Sequence, residues 1–537
     1  MPVYVHSASK TLLLPHDTAR RVRWLNHFSG ARWITWRNAR WLALPHNLTT
    51  TWKLTADGIA VPGPILHYYD WPGRFPPFEK QKITADFLTR YDRAYCFNEM
   101  GTGKSMAALW ALDYMRRENA LNGRVLIVSP LSTLERVWAD EIWRNFPQYR
   151  AGVVYGTRAQ RERVLQGDYD YFILNHDGIK VFATIERDGK YRKVHFDPLF
   201  KEFLRGIDLV LVDEGAVFRN KSTDLWLVMR ELVKNKRVWW LTGGPMPHAP
   251  TDIWAQAKIV TPERVPTYFG RFRDMVMYKA SQFKWLPKPG WEKTVYSMIR
   301  PVVRFRRDEM TDLPPLVVET REAELSPKQK KVAKALLRDF AVELRQGRLT
   351  IANEGVRRQK LLQVYGGAVY TDSKGRENLN PAPRLAALSE ALDEAGGKAI
   401  VFAPYDHHVE LIRAHVARSY SVGVVTGKTS PNQRNEIFRQ FQERDLQVLL
   451  ANPGTMAHGL NLHASHVVIW WAPIDDYEIY DQANARISRP GQKHKQTIIH
   501  MQGSKLEAET YKRLARKESM QGLLLALLEE LTLREVA

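Results

Sequence analysis

The stretch NEMGTGKS, Asn98 to Ser105, decides how this chain is read. A short apolar run, Ala94 to Phe97, precedes it and reads as a buried strand. Met106 to Met115 (MAALWALDYM) follows, rich in Ala and Leu, and reads as a helix. Strand, glycine loop and helix are the context a phosphate-binding loop needs. Gly101 and Gly103 let the backbone bend so that its N–H groups face a polyphosphate, and the helix N-terminus adds a favourable dipole. Lys104 then reaches the β- and γ-phosphates and Ser105 holds a magnesium ion. Met100, Gly101, Thr102, Gly103, Lys104 and Ser105 form the expected nucleotide loop. Asn98 stands where the general GxxxxGK(S/T) pattern begins with Gly.

Outward from this loop, strands and helices alternate. Val125 to Val128, Tyr171 to Leu174, Leu209 to Val212 and Val238 to Leu241 are short apolar runs separated by helical stretches. That is the signature of a parallel sheet covered by helices. A basic, aromatic region without clear period runs from Pro262 to about Arg307, and Ser326 to Arg345 and Glu354 to Gln363 read as helices. A second alternating series begins at Pro381: Ala399 to Phe402, Ser421 to Val425, Gln447 to Leu450 and Val467 to Trp471. Leu506 to Leu533 reads as an amphipathic helix that packs on this second series. Residues 1 to 70 differ from the rest. They are rich in Trp, Arg and Thr, with short alternating runs at Arg32 to Leu44 and Thr50 to Leu54, and read as a small, mostly β module. Pro62 to Pro77, with five prolines, reads as a linker.

Composition narrows the class. The 537 residues suffice for two or three domains with separate cores. No apolar run approaches the roughly 20 residues of a membrane helix, and the N-terminus lacks a signal-peptide pattern. The single cysteine, Cys96, excludes an internal disulfide and any multi-cysteine zinc site, and reads as a buried structural thiol. A cytoplasmic protein is expected. Lys plus Arg is 79 against 58 Asp plus Glu, a formal net charge of +21 that points to a polyanionic partner, with nucleic acid the default.

Three further stretches carry chemistry. Val210 to Asp213 followed by Glu214 is an apolar strand ending in two acids. Asp213 would hold the magnesium, and Glu214 would orient and deprotonate the attacking water. Leu241 to Pro245 (LTGGP) follows another strand, and its glycine-rich turn could sense loss of the γ-phosphate. Gln482 to Gln492 (QANARISRPGQ) carries Arg486 and Arg489 three residues apart, on one face if helical. Two such arginines can act as fingers that stabilise transition-state charge. Other features read as ordinary. Adjacent His407 and His408 fit a solvated loop, and Asp475 and Asp476 fit a polar surface loop. The basic runs Arg304 to Arg307 and Arg357 to Lys360 are candidate phosphate contacts.

Taken in order, these motifs resemble a Swi/Snf-type DNA translocase of helicase superfamily two. NEMGTGKS is close to that family's DEMGLGKT, DEGAVFRNKS (213–222) to DEAHRIKNxxS, and LTGGPMPH (241–248) to LTGTPxQN. RPVVRFRRDEMTDLPP (300–315) resembles the stretch closing the family's first lobe, and TGKTSPNQR (426–434) and NPGTMAHGLNL (452–462) resemble second-lobe elements. QANARISRPGQ resembles QAxGRxxRxGQ, the most diagnostic string. The resemblance implies an α/β fold of two RecA-like lobes, parallel sheets covered by helices, beside the small N-terminal module. ATP would sit between the lobes with a DNA duplex across both. It assigns lobe one to residues 71–318, a helical connector to 319–380 and lobe two to 381–537. It implies Gln81 as the adenine-reading glutamine, although Lys80 replaces the usual preceding aromatic. Thr242, Gly243, Gly244 and Gly459 fall in coupling elements, and Ser129, Pro130, Thr426, Thr429 and Asn452 near the DNA backbone. Ala216 stands where the family often has His and Gly244 where it has Thr, both coupling positions, and Ala485 replaces a motif Gly. ARWITWRNARWLALP resembles part of the HARP-like module of annealing helicases.

The expected function is a DNA-stimulated ATPase translocating on double-stranded or branched DNA. Its output would be fork or junction remodelling, displacement of bound proteins, or strand separation. The alternatives are an ATP-switched DNA-binding scaffold with little turnover and a motor acting on RNA. The expected source is bacterial or viral, and the expected state is a monomer without membrane contact.

Overall fold

The computed structural model describes the chain apart from residues 1–2, 23–27, 190, 247–248, 282–283, 308, 311–315, 346–350, 371–375, 457–461, 488–491, 493 and 515–537. The chain divides into two compact units, one up to residue 310 and one beginning at 311.

The first unit opens with four antiparallel strands, β1 (Tyr4–His6), β2 (Thr11–Pro15), β3 (Arg32–Trp36) and β4 (Ala39–Pro45), in spatial order β1-β2-β4-β3. Side chains alternate across a pleated sheet. Leu12, Leu14, Leu42 and Leu44 therefore share one face and form a core with Val22, Leu54, Ile59 and Val61. The other face carries Leu13, Trp41 and Ala43 with Ile34 and Trp36 packed against them. The run Thr50 to Leu54, expected as an alternating segment, belongs instead to a helix, Leu48–Ala56. Its N-cap decides this: the Asn47 side chain accepts the Thr50 amide at 2.9 Å. Leu48, Thr51 and Leu54, three residues apart, then bury one face despite the β-branched threonines.

Pro62 to Pro77, expected as a linker, is a packed strap. Ile65 and Tyr69 lie in the core of the following lobe, together with Leu48 from the preceding helix. The Tyr69 hydroxyl donates to the buried Asp113 carboxylate at 2.5 Å, and the Trp110 indole donates to the Pro72 carbonyl at 2.6 Å. Asp113 and Trp110 are both on the helix that follows the glycine loop, so the strap is bonded along it.

The main sheet of the first unit contains β5 (Arg93–Cys96), β6 (Arg124–Ser129), β7 (Ala151–Val154), β8 (Tyr171–Asn175), β11 (Ile207–Asp213), β12 (Arg237–Leu241) and β15 (Val302–Val303). Between β8 and β11 lies an antiparallel hairpin, β9 (Ala183–Asp188) and β10 (Tyr191–Phe196). The aromatic region after residue 262 folds into helices Phe269–Val276 and Trp291–Met298 flanking a second hairpin, β13 (Met277–Ser281) and β14 (Lys284–Pro287). The sheet order is β15-β5-β12-β11-β6-β8-β7, every pairing parallel. Val125, Ile127, Leu209 and Leu211 face one helical layer, and Leu126, Val128, Val210 and Val212 the other. This double coverage is why its strands read as continuous apolar runs.

The second unit has a six-stranded sheet, also parallel throughout. Its strands are β16 (Leu316–Glu322), β19 (Ala399–Phe402), β20 (Val422–Val425), β21 (Val448–Ala451), β22 (Val467–Trp470) and β23 (Gln496–Gln502), in order β16-β23-β22-β19-β21-β20. Helices Pro327–Arg345 and Ile351–Tyr365 and a small hairpin, β17 (Ala368–Tyr370) and β18 (Arg376–Asn378), lie between its first two strands in sequence. Both units are thus RecA-like lobes. The C-terminal helix is described from 505 to 514, and its expected extension to 533 lies outside the described residues. No helix among the described residues is long and apolar enough to cross a membrane.

Candidate nucleotide site

The register of the first lobe's sheet assembles the site. Asp213 pairs with Leu241, and Leu241 with Cys96, so the carboxyl ends of β11, β12 and β5 lie in one row. Adjacent strands are about 4.8 Å apart, so this row spans about 10 Å. Glu214, the Thr242 turn and the glycine loop each leave the sheet from it. The crevice outside the carboxyl ends of parallel strands is where such sheets bind ligands.

The loop is bent as its glycines require. Gly101 and Gly103 have φ of 86° and 79°, the left-handed region. At Gly103 there is also no room: an added Cβ would lie 2.0 Å from Nε2 of Gln81. Helix Lys104–Arg117 starts directly after it, presenting its N-terminus to the loop. Lys104 is buried against the loop, its Nζ 3.4 Å from the Glu99 carbonyl. Gln81 donates to the Thr102 carbonyl at 3.0 Å and accepts the Phe78 amide at 2.9 Å, so it braces the loop from below.

Asn98, the departure from the general pattern, acts as a brace between two elements. Its Nδ2 donates to Thr84 Oγ1 at 2.8 Å, and its Oδ1 accepts the Phe305 amide at 2.9 Å. Glu99 is gripped by the same segment: Arg304 donates to it at 2.6 Å and the Arg307 amide at 2.9 Å. Burial pushes the Glu99 carboxyl up, but the Arg304 guanidinium and the Arg307 amide outweigh it and hold the group below the usual range. Arg304, expected among phosphate contacts, is instead fully buried and structural. Cys96 is inert as expected: burial pushes its thiol up to about 11.

Asp213 is buried and fixed on both sides. The Trp138 indole donates to its Oδ2 at 3.2 Å, and the Glu214 amide to its Oδ1 at 3.1 Å. His176 Nε2 lies 2.7 Å from the Asp213 carbonyl oxygen, so that nitrogen carries the proton. Trp138 and His176 were missed from sequence, because neither lies within a motif string. Glu214 is half-buried with a left-handed φ of 51°, an uncommon conformation for a non-glycine residue. The Thr242 amide donates to the Cys96 carbonyl at 3.1 Å. Thr242 Oγ1 is buried without a hydrogen-bond partner among the described residues. A Cβ at Gly243 would meet Met100 at 3.3 Å, so the glycine turn touches the loop. A cationic side chain on a glycine loop, a held carboxylate and an unpartnered hydroxyl in one crevice fit a magnesium-bound polyphosphate.

In the second unit, Thr426 and Thr429 bond to each other, the Thr426 amide donating to Thr429 Oγ1 at 3.0 Å. Asn452 donates to the Pro404 carbonyl at 3.0 Å and accepts the Gly454 amide. These three are half-buried, whereas Ser129 and Pro130 of the first unit are fully covered. Helix Tyr477–Asn484 ends before Arg486, which lies in the turn that follows it. Arg486 is buried at 2% exposure. Arg489 and Gly459 lie outside the described residues.

Other expectations are corrected. His407 and His408 are not in a solvated loop. They open helix Asp406–Val416 and are buried, with His408 beside the Gln363 carbonyl at 3.1 Å. Burial holds the His408 imidazole well below its ordinary value. Asp475 and Asp476 do lie in a loop, as expected, where Asp476 caps helix Tyr477–Asn484 and Asp475 pairs with Arg358 at 2.5 Å and Arg513 at 2.9 Å. Arg358 is therefore tied within its own unit.

Comparison with known proteins agrees with this geometry. The SNF2-related domain family matches residues 81–367, and the helicase conserved C-terminal domain matches 383–491. Protein CHROMATIN REMODELING 5 of Arabidopsis thaliana is 25% identical over 456 residues, 78% of this chain but 25% of its own length. The putative protein p41 of Acyrthosiphon pisum secondary endosymbiont phage 1 is 22% identical over 435 residues, 77% of this chain and 88% of that protein. The Sulfolobus solfataricus SWI2/SNF2 ATPase core, solved in complex with dsDNA, aligns with 87% of this chain and 97% of its own at 19% identity and a TM-score of 0.40. The chain spans only a quarter to a third of the first two plant remodellers it matches.

Proposed function

The chain belongs to the SNF2-related family, and from that membership we propose that it is a DNA-stimulated ATPase that translocates on double-stranded DNA. The observation that carries this reading is the row Asp213, Leu241, Cys96, from which a carboxylate pair, a glycine turn and a lysine-bearing loop emerge side by side. Lys104 and the loop amides hold the β- and γ-phosphates of ATP, and Ser105 and Asp213 hold magnesium. The metal, when bound, neutralises charge on the phosphates as the terminal one leaves. Glu214 orients the attacking water and takes its proton. Gln81 is proposed to read the adenine, and Arg486 and Arg489 to bring positive charge to the transition state. These three assignments rest on the resemblance of their motifs. So do the DNA contacts proposed for Ser129, Pro130, Thr426, Thr429 and Asn452. The coupling roles proposed for Thr242, Gly243, Gly244 and Gly459 have the same basis.

We further propose that the output is remodelling of forks or junctions, gripped by the N-terminal sheet. The aromatics on its second face support this. Tyr4 and Trp36 lie 4.8 Å apart there, with the Arg37 guanidinium over Trp36 at 4.4 Å. Paired aromatics and cations suit unpaired bases and a phosphate backbone. Displacement of bound proteins remains the alternative output. The phage relative supports a bacterial or viral source.

The test is ATP hydrolysis without nucleic acid and with single-stranded DNA, duplex, forked DNA and RNA, at one low salt concentration. Stimulation by duplex, with a further gain on forks that Trp36→Ala and Arg37→Ala remove, supports the full reading. Stimulation mainly by RNA selects an RNA motor. ATP binding without stimulation by anything selects the switch-like scaffold, which Ala216 and Gly244 favour.

A further inference from the structure

Two coupling positions of the family are changed here, Ala216 and Gly244. Ala216 is buried at 2% exposure and offers only a methyl group to the acid turn. Yet the acid turn and the glycine turn are joined by another route. Gly215 follows Glu214 and packs directly on Trp240: an added Cβ would lie 2.1 Å from the indole Nε1. That Nε1 donates to Gln256 Oε1 at 3.1 Å. Gln256 Nε2 in turn donates to the Pro245 carbonyl at 2.7 Å and the Asp252 carbonyl at 3.1 Å. Pro245 closes the turn whose Gly243 touches Met100 of the nucleotide loop. Trp240 and Gln256 are both wholly buried.

We propose that Trp240 and Gln256 are positioning residues that join the Glu214 turn to the Gly243–Pro245 turn and so set the general base against the terminal phosphate. The inference rests on the assignment of Glu214 as that base. The residue types suit the task. An indole is a donor only, and a primary amide is both donor and acceptor. The order indole, amide, carbonyl therefore runs in one direction, and neither partner can be reversed. Bonds of this kind, sealed from water, are stiff, and losing one leaves a buried group unpaired. Glu214 needs such a buttress, because its left-handed backbone is held in place by its surroundings. A displacement of about 1 Å at a catalytic group can cost about 100-fold in rate.

The two halves can be cut separately. Trp240→Phe keeps an aromatic ring and removes the donor. Gln256→Glu keeps the acceptor for Trp240 and removes the donor to Pro245. Gln256→Met removes both. Each variant would be titrated with a fluorescent ATP analogue and assayed for ATP turnover with and without duplex DNA, and its melting temperature recorded. The expected result is an ATP Kd within about twofold of the parent and a kcat lowered about 10- to 100-fold. Gln256→Met should be the slowest, and a variant whose melting temperature is unchanged should still show the loss. The inference is overturned if kcat stays within twofold in the variants that fold, or if Kd weakens in step with kcat. Failure of the motor reading looks different: the parent would hydrolyse ATP at one rate with and without DNA, while the split between kcat and Kd would still be read on that rate.

Discussion

Arg304 in the first unit and Arg384 in the second are both buried against a glutamate 2.6 Å away, but they brace different things. Arg304 holds Glu99, the second residue of the glycine loop, and Glu99 is still one-third exposed. Arg384 holds Glu507, which is fully buried, and bonds the Tyr365 carbonyl at 3.0 Å. Glu507 in turn accepts the Gly503 amide at 2.9 Å. That pair ties three segments of the second unit together far from any of its motif loops in sequence. The motif loops show the same contrast. Around the nucleotide loop the bonds are long-range, joining Asn98 and Glu99 to residues beyond 300. In the second unit several are local, Thr426 to Thr429, Asn452 to Gly454, and Ser430 capping its own helix through the Gln433 amide, while Asn452 also reaches further, to the Pro404 carbonyl. A loop that must hold one ligand geometry is fixed from outside. A loop whose proposed ligand is a continuous backbone leans more on its own turn.

Breaking the catalytic loop should give the largest effect. Lys104→Ala is expected to abolish ATP turnover. Glu214→Gln should keep ATP binding and lower turnover by about 10²–10⁴, and robust hydrolysis by that variant would remove Glu214 from its role. The buried pairs come next. Arg384→Ala should cost about 3–5 kcal/mol, because it strands a fully buried carboxylate, and Arg304→Ala less, because Glu99 is one-third exposed and keeps the Arg307 amide. Only Arg304→Ala should also weaken ATP binding. Urea unfolding beside an ATP titration reads both, and equal loss of ATP affinity in the two variants would break the comparison.

Acid should separate the units more gently. Burial holds His46 of the first unit and His500 of the second down at about 4, against 6.5 when unfolded. Each is neutral in the folded chain until about pH 4, while the unfolded chain takes up the proton near 6.5. Stability is therefore full above pH 6.5 and falls as pH drops towards 4, by about 3 kcal/mol for each histidine. In the first unit His67, also held down by burial, adds to this loss, while burial raises the Asp86 and Glu141 carboxyls and offsets part of it. In the second, His408 adds to it. Proteolysis mapped by mass spectrometry at pH 7 and pH 5 should find the second unit opening first. The smallest effect is expected of Asn98→Ala, which leaves the Phe305 amide unpaired and should cost about 1–3 kcal/mol in urea.

Much of this was legible in the sequence. The eight strand runs of the two alternating series were found because a sheet covered on both faces writes itself as unbroken Val, Ile and Leu. β16 escaped because it is an edge strand, half-exposed along Leu316–Glu322, and its composition resembles a connector. β7 escaped because AGVV is short and contains Gly152, whose missing Cβ leaves room for Tyr169 and Val164. The nucleotide loop and the acid pair were legible because their chemistry restricts residue types at fixed spacing. Trp138, His176 and Arg304 were not, because each reaches the site from a segment distant in sequence. The histidines were misread for a related reason: two adjacent polar residues give no sign that the helix start they occupy is covered by Tyr405 and Trp471.

The strap from Pro62 to Pro77 also bears on how such a chain can be divided or inherited. Its composition invites a cut, and a cut there would seem to release an accessory module from an intact engine. But Ile65 and Tyr69 are engine parts, and Leu48, well inside the supposed accessory, is another. Removing residues 1–70 would open the hydrophobic layer behind the ATP helix and leave the buried Asp113 carboxylate without its Tyr69 donor. The front of the chain can be exchanged for another only if the newcomer brings a matching wall, so modules grafted here must be inherited together with the strap that seats them.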